Sequence, residues 1–343
     1  MKAHLTTALA LFAACGGDAA DPTSEPIPAV TVDALYVVDG DDATISVIEA
    51  AADTVVGTIR LSDAAFPHHL YLSSDRREMY LAVPGVDLSQ GHAGGHVHGD
   101  GERAFVMRLD AATGETLAVA SLATSNHNAI PSPAGDTVWT AQMTQPGTVL
   151  VLDAASLDEL GSVEVGDMPA EITFSSDGSR AFVANGGSSS VSAIDPATLE
   201  DLATIPVGDT PVGAWPGDDG LLYVDNETGQ SISAIDPATL EVARTYELGF
   251  TPGFAATFAD ELWVTDTDAG RLVFLDRASG DLIDFVATGA GAHAIAIAPD
   301  GSRAWVTNQA DDSVSVIDTA SREVVATVSV GAAPNGIVYR RSP

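Results

Sequence analysis

Residues 299–320 read Pro-Asp-Gly-Ser-Arg-Ala-Trp-Val-Thr-Asn-Gln-Ala-Asp-Asp-Ser-Val-Ser-Val-Ile-Asp-Thr-Ala. Pro-Asp-Gly is a turn, the run opening at Trp305 is a strand, and Ser313 to Asp318 alternates polar with apolar as a second strand does. The same order recurs along the chain. An aromatic opens an apolar strand at Tyr36, Tyr80, Trp139, Phe182, Tyr223, Trp263 and Trp305, with gaps of 44, 59, 43, 41, 40 and 42 residues. A following strand ends in an acid, at Glu49, Asp110, Asp153, Asp195, Asp236, Asp276 and Asp318. Two residues after each acid stands an alanine: Ala51, Ala112, Ala155, Ala197, Ala238, Ala278 and Ala320. A third strand comes next, as in Thr54 to Leu61 or Glu323 to Val330, and a turn such as Gly208-Asp209-Thr210-Pro211 leads to a fourth. Four short strands per period of about 40, seven times over, predict an all-β fold, a seven-bladed β-propeller of four-stranded blades.

Leu35-Tyr36-Val37, the Pro299 to Arg303 turn and Trp305-Val306-Thr307-Asn308 resemble the YVTN-type propeller repeat family. The resemblance covers residues 33–343 and implies the fold, because this repeat serves many functions. In its frame the strand after each Pro-type turn lines the central channel and the aromatic strand is second. Asn335 to Tyr339 then supplies the innermost strand of the blade that opens at Tyr36, so the chain ends pair and the ring has no free edge there. The aromatics are expected to pack between blades. The organisation read from the sequence is a signal over 1–14, a lipidated cysteine with a flexible tether over 15–34, and a propeller over 35–343 with a His-rich insertion at about 84–100.

Fourteen Lys and Arg face 48 Asp and Glu, a formal net charge of -34. Such a surface repels phosphate, which excludes nucleic acid as a partner and limits membrane contact to a lipid anchor. Hydrophobic residues at 45% against 18% charged support a large core. The single cysteine, Cys15, excludes an internal disulfide or a thiolate cluster. It follows Lys2 and an apolar run from Leu5 to Ala14, and Gly16-Gly17 comes next. This is the pattern of a secretory signal, and it resembles the bacterial lipobox, which implies acylation of Cys15 and a place in the cell envelope, at the outer membrane or its periplasmic face. Pro22, Pro26 and Pro28, without apolar period, read as a tether.

The repeat fails in two places, and both involve histidine. Aromatic and acid are 13 residues apart in five units and 14 in the third, but 30 in the second. The excess carries Gly91-His92-Ala93-Gly94-Gly95-His96-Val97-His98, whose short spacers let imidazoles turn toward one ion. Aligning the turns at the head of the channel strands puts His68, His127, Ala170, Val212, Gly253, His293 and Asn335 in one position. The histidines and Asn335 fall on neighbouring blades in one arc. His69 adds an imidazole that strand alternation is expected to aim elsewhere. Topology places the insertion over the same mouth, so His68, His69, His92, His96, His98, His127 and His293 are candidate ligands for copper or zinc. Met143 and Met168 stand near enough in the repeat to add sulfur. The His-His pair followed by a histidine in the next blade is similar to the propeller copper centre of nitrous-oxide reductases, although Ala170, Val212 and Gly253 depart from it.

Three functions fit this sequence: a lipoprotein that captures or transfers a metal ion, with an envelope protein as a partner at the rim; an interaction scaffold; and a lactonase-like metal-dependent hydrolase. No Gly-x-Ser-x-Gly elbow or phosphate-cradling loop occurs, so no catalytic nucleophile is assigned. Asp41, Asp42, Asp225, Glu227, Asp266, Asp268, Asp311 and Asp312 are expected to form a solvated acidic rim.

Overall fold

The computed structural model describes residues 21–88 and 103–342. Seven antiparallel sheets are present, six of four strands and one of five. Each blade begins with an inner strand, such as Pro169–Phe174, and continues outward through the aromatic strand, here Ala181–Asn185, to Ser190–Ile194 and Asp201–Pro206. In blade 1 the inner strand is the last of the chain, Pro334–Arg340. It pairs with Ala34–Asp39, with Tyr36 opposite Val338 and Val37 opposite Ile337. The predicted closure of the ring is therefore present.

The aromatics lie between blades as expected, and each is sealed from solvent. Trp139 packs with Ile172 and Phe174 of blade 4, and Trp263 with Ile295 and Ala304 of blade 7. Buried tyrosines also need a partner for the hydroxyl. Tyr36 donates to Ala111 O of blade 2 at 2.5 Å, and Tyr80 to Ala154 O of blade 3 at 3.1 Å. The invariant acid and alanine form the outer turn. Asp153 Oδ1 accepts from the N–H groups of Ala155 and Ser156 at 2.9 and 2.8 Å. These two donors, Ser156 foremost, hold its carboxyl below the usual range.

The inner strands share an irregularity. Between Pro169 and Ile172, Pro211 and Ala214, Pro252 and Ala255, and Ala292 and Ile295, the register slips by one residue against the aromatic strand. Each is a β-bulge, which re-aims the side chains beside it.

Two expectations change. Residues 1–20, including the signal and Cys15, lie outside the described residues, but the described part of the proposed tether is ordered structure. Thr23–Glu25 is a strand added to the outer edge of blade 1, with Thr23 opposite Ser62 and Glu25 opposite Arg60. An outer strand offers a row of unpaired peptide groups, and three extended residues between Pro22 and Pro26 satisfy them without placing a proline in the ladder. The strap continues as Ile27 N–H donates to Thr113 O and Val30 N–H to Ala112 O, both at 2.9 Å. The acidic rim is also incomplete: Asp225 and Asp266 are buried. Asp266 pairs with Arg271 at 2.8 Å, and Asp225 sits in the strand Leu222–Asn226 accepting the Gly213 N–H. Burial first, then the charges of Glu227 and Glu171, push the Asp225 carboxyl far above its ordinary range.

Candidate metal centre

The bulge has its largest effect in blade 2. His68 N–H donates to Ala82 O and Ala82 N–H donates to His69 O, both at 3.0 Å, so two residues face one across the ladder. Strict alternation would send the two imidazoles apart. The bulge instead leaves their rings 4.5 Å from each other. His127, at the same place in blade 3, closes the group. One ligand atom from each of His68, His69 and His127 lies within 4.8 Å of the others. All three are buried, at 2%, 5% and 2% exposure. His293 stands beside them, its ring 6.5 Å from that of His68 and 6.0 Å from that of His69. It is half-buried.

The arc is wired by hydrogen bonds in one direction. Glu171 of blade 4 is fully buried, and its Oε2 lies 2.9 Å from His127 Nδ1. A carboxylate accepts, so His127 carries its proton on Nδ1 and leaves Nε2 as an acceptor. His68 Nε2 lies 3.2 Å from His127 Nε2 and donates to it. His68 Nδ1 then accepts from Asn335 Nδ2 at 2.7 Å, and Gln309 Nε2 donates to Asn335 Oδ1 at 3.0 Å. The other oxygen of Glu171 accepts the Tyr71 hydroxyl. Burial, followed by the charge and hydrogen bond of Glu171, pushes that hydroxyl far above the ordinary tyrosine range. Asn128 fixes the blades beneath: it donates to Ile172 O at 2.8 Å and accepts from Ile172 N at 3.2 Å.

Blades 5 and 6 carry no imidazole at this position. Val212 and Gly253 occupy the places of His68 and His127, and Trp215 and Phe254 stack with centroids 4.1 Å apart. Added bulk at Gly213 would strike the Trp215 ring.

Of the residues proposed from sequence, the structure brings His68, His69 and His127 together and sets His293 alongside. His92, His96 and His98 lie outside the described residues. Met143 is buried and Met168 half-buried. Glu171 and Tyr71 were not anticipated. The only trace of Glu171 in the sequence is one acid within Pro-Ala-Glu-Ile-Thr-Phe, a strand whose every residue is buried.

No family model matches this chain, and no curated protein matches it in sequence. Solved structures do. A periplasmic gluconolactonase of Pseudomonas aeruginosa is 21% identical over 91% of this chain and 99% of that one, with a TM-score of 0.72. A dihydro-haem d1 dehydrogenase is 16% identical over 91% of this chain and 76% of the other, with a TM-score of 0.64. A functionally unknown protein of Desulfotomaculum acetoxidans is 15% identical over 90% and 99%, with a TM-score of 0.72. At these identities the likeness shows the propeller fold.

Proposed function

We propose that this chain is a cell-envelope lipoprotein that holds one transition-metal ion, copper or zinc, through His68, His69 and His127, and takes part in capturing or transferring it. The observation that carries the reading is the spacing of donor atoms. His68 Nε2 and His127 Nε2 are 3.2 Å apart, and two nitrogens bound tetrahedrally at about 2.0 Å to one ion would sit about 3.3 Å apart. The protein thus keeps adjacent ligand positions nearly set, with a proton in the gap.

The surrounding groups fit the same chemistry. His127 already has the arrangement of a metal ligand, Nδ1–H on a carboxylate and Nε2 directed inward. His68 needs a change of tautomer. For its Nε2 to bind an ion, the proton must move to Nδ1, and the Asn335 amide must turn to present Oδ1, with Gln309 turning in step. His293 and the insertion histidines, His92, His96 and His98, are the candidates for a fourth ligand.

The test is metal analysis of protein purified from its host without a histidine tag. About one copper or zinc ion per chain is expected from three converging imidazoles, with none in the His68→Ala, His127→Ala double variant. Protein that carries neither metal and binds neither on titration would sink the proposal.

A second reading, lactone hydrolysis, has its own support in the stacked Trp215 and Phe254 on the inner strands of blades 5 and 6, an apolar surface for a small ring. A bound ion would supply polarisation of the ester carbonyl. Hydrolysis of gluconolactone by metal-loaded protein, lost on chelation, distinguishes this reading from transfer alone.

A further inference from the structure

The strap does more than cover an edge, because of where it starts. Asp21 Oδ1 lies 2.8 Å from Arg103 Nη2, and the same nitrogen donates to Ser121 Oγ at 3.1 Å. Arg103 is the residue immediately before the strand Ala104–Asp110, where the His-rich insertion ends. The other stem of that insertion is tied to the segment leading into His68, since Gly85 N–H donates to Ala65 O at 3.2 Å. From Asp21 the chain then runs away from the insertion. Ser24 Oγ donates to Gly114 O at 2.6 Å, and Ile27 and Val30 reach the outer turn of blade 2 at Thr113 and Ala112. Asp21 therefore lies beside the stem of the insertion, on the face that bears the histidines.

We infer that the N-terminal strap turns the histidine mouth toward the membrane that holds Cys15. This rests on the reading of Cys15 as the acylated residue. Five residues, 16–20, separate Cys15 from Asp21, and the six steps between them, at about 3.5 Å each, span no more than about 20 Å. A tether running to residue 34 would have let the disc turn freely. With Asp21, Ser24, Ile27 and Val30 bonded to blade 2, the slack is reduced to that short piece, and any carrier that exchanges an ion with the mouth has to reach it within that gap.

The chain offers a clean test, because its one cysteine is Cys15, and once acylated it leaves no free thiol. Ala310 and Ala320 are exposed turns of the same blade on opposite faces. Ala310 N–H bonds to Ala290 O, just ahead of His293 on the mouth side, whereas Ala320 follows the strand Ser313–Asp318 at the far side. Ala310→Cys and Ala320→Cys are made in the full chain, acylated in its bacterial host, labelled with a fluorophore and reconstituted in phosphatidylcholine vesicles that contain a headgroup-labelled acceptor. A six-residue strand separates the faces by about 20 Å, so short-range transfer from position 310 should exceed that from position 320 at least about twofold. Equal transfer, or stronger transfer from 320, overturns the orientation while leaving the anchor intact. Wild-type protein absent from the membrane fraction, with an unmodified Cys15 thiol by mass, sinks the anchor and the orientation together.

Discussion

Replacing Asp39 by asparagine should stabilise the protein at neutral and alkaline pH and do little in acid. Asp39 is fully buried in the aromatic strand of blade 1, where its Oδ2 accepts from Thr44 Oγ1 at 2.7 Å and Ser46 Oγ at 2.8 Å. Burial pushes its carboxyl up to about 6 from an ordinary 3.8, although the two hydroxyls pull the other way. A carboxyl raised in the folded state is more easily ionised in the unfolded chain. Its contribution to stability is whole below pH 3.8 and is lost as pH rises through 6. The gap of about 2.2 pH units, at roughly 1.36 kcal/mol for each, costs about 3 kcal/mol above pH 7. Other blades show that an amide fits. Asn226 donates to Ser231 Oγ and Ser233 Oγ at 3.1 and 3.0 Å, and Asn308 to Ser313 Oγ and Ser315 Oγ at 3.1 and 3.0 Å. Urea denaturation of Asp39→Asn and wild type, at pH 8 and again at pH 4 with a chelator present, reads the effect as a difference of differences. The many other carboxylates cancel in that comparison. A gain of equal size at both pH values, or none at pH 8, would refute the reasoning.

The double variant His68→Ala, His127→Ala should lose tight metal binding in equilibrium dialysis while its far-ultraviolet circular dichroism is unchanged. Metal-loaded wild type should release its ion as pH falls below about 6.5, because a protonated imidazole does not ligate. Glu171→Gln keeps an acceptor for His127 Nδ1–H but removes the charge, and should weaken metal binding by about 10–100-fold in a competitive chelator titration. Deleting residues 334–343 strips the inner strand from blade 1 and should leave no cooperative thermal transition, since the loss exceeds a typical total stability of about 5–15 kcal/mol. Deleting residues 21–30 should lower the transition temperature measurably without abolishing it, because only an outer edge is exposed.

The sequence carried the ring because each blade spells out its own geometry locally. The aromatic of the second strand, the acid and alanine of the outer turn, and the alternation between Ser313 and Asp318 are all set by neighbours within one repeat. The strap was not legible for the opposite reason: Thr23-Ser24-Glu25 has no apolar period, and its partners lie 35 to 39 residues downstream at Arg60 to Ser62. The histidines showed themselves by type and position, but their convergence depended on the bulge opposite Ala82, a backbone event that leaves no residue signature. Glu171 was hidden further still. An acid in an otherwise apolar strand has many meanings until the blade beside it places His127 Nδ1 against it.

The tyrosine hydroxyls that cross from one blade to the next carry a lesson for grafting. Tyr36 and Tyr80 each bond to the carbonyl of a turn in the following blade, so a blade cut out as a four-stranded sheet would leave one hydroxyl without its acceptor and one turn without its donor. The two bonds span residues 36–111 and 80–154 and so overlap, and every joint between residues 36 and 154 severs at least one of them. A chimaera therefore has to match the aromatic hydroxyl of one parent to the outer turn of the other at its seam, wherever in that stretch the seam is placed.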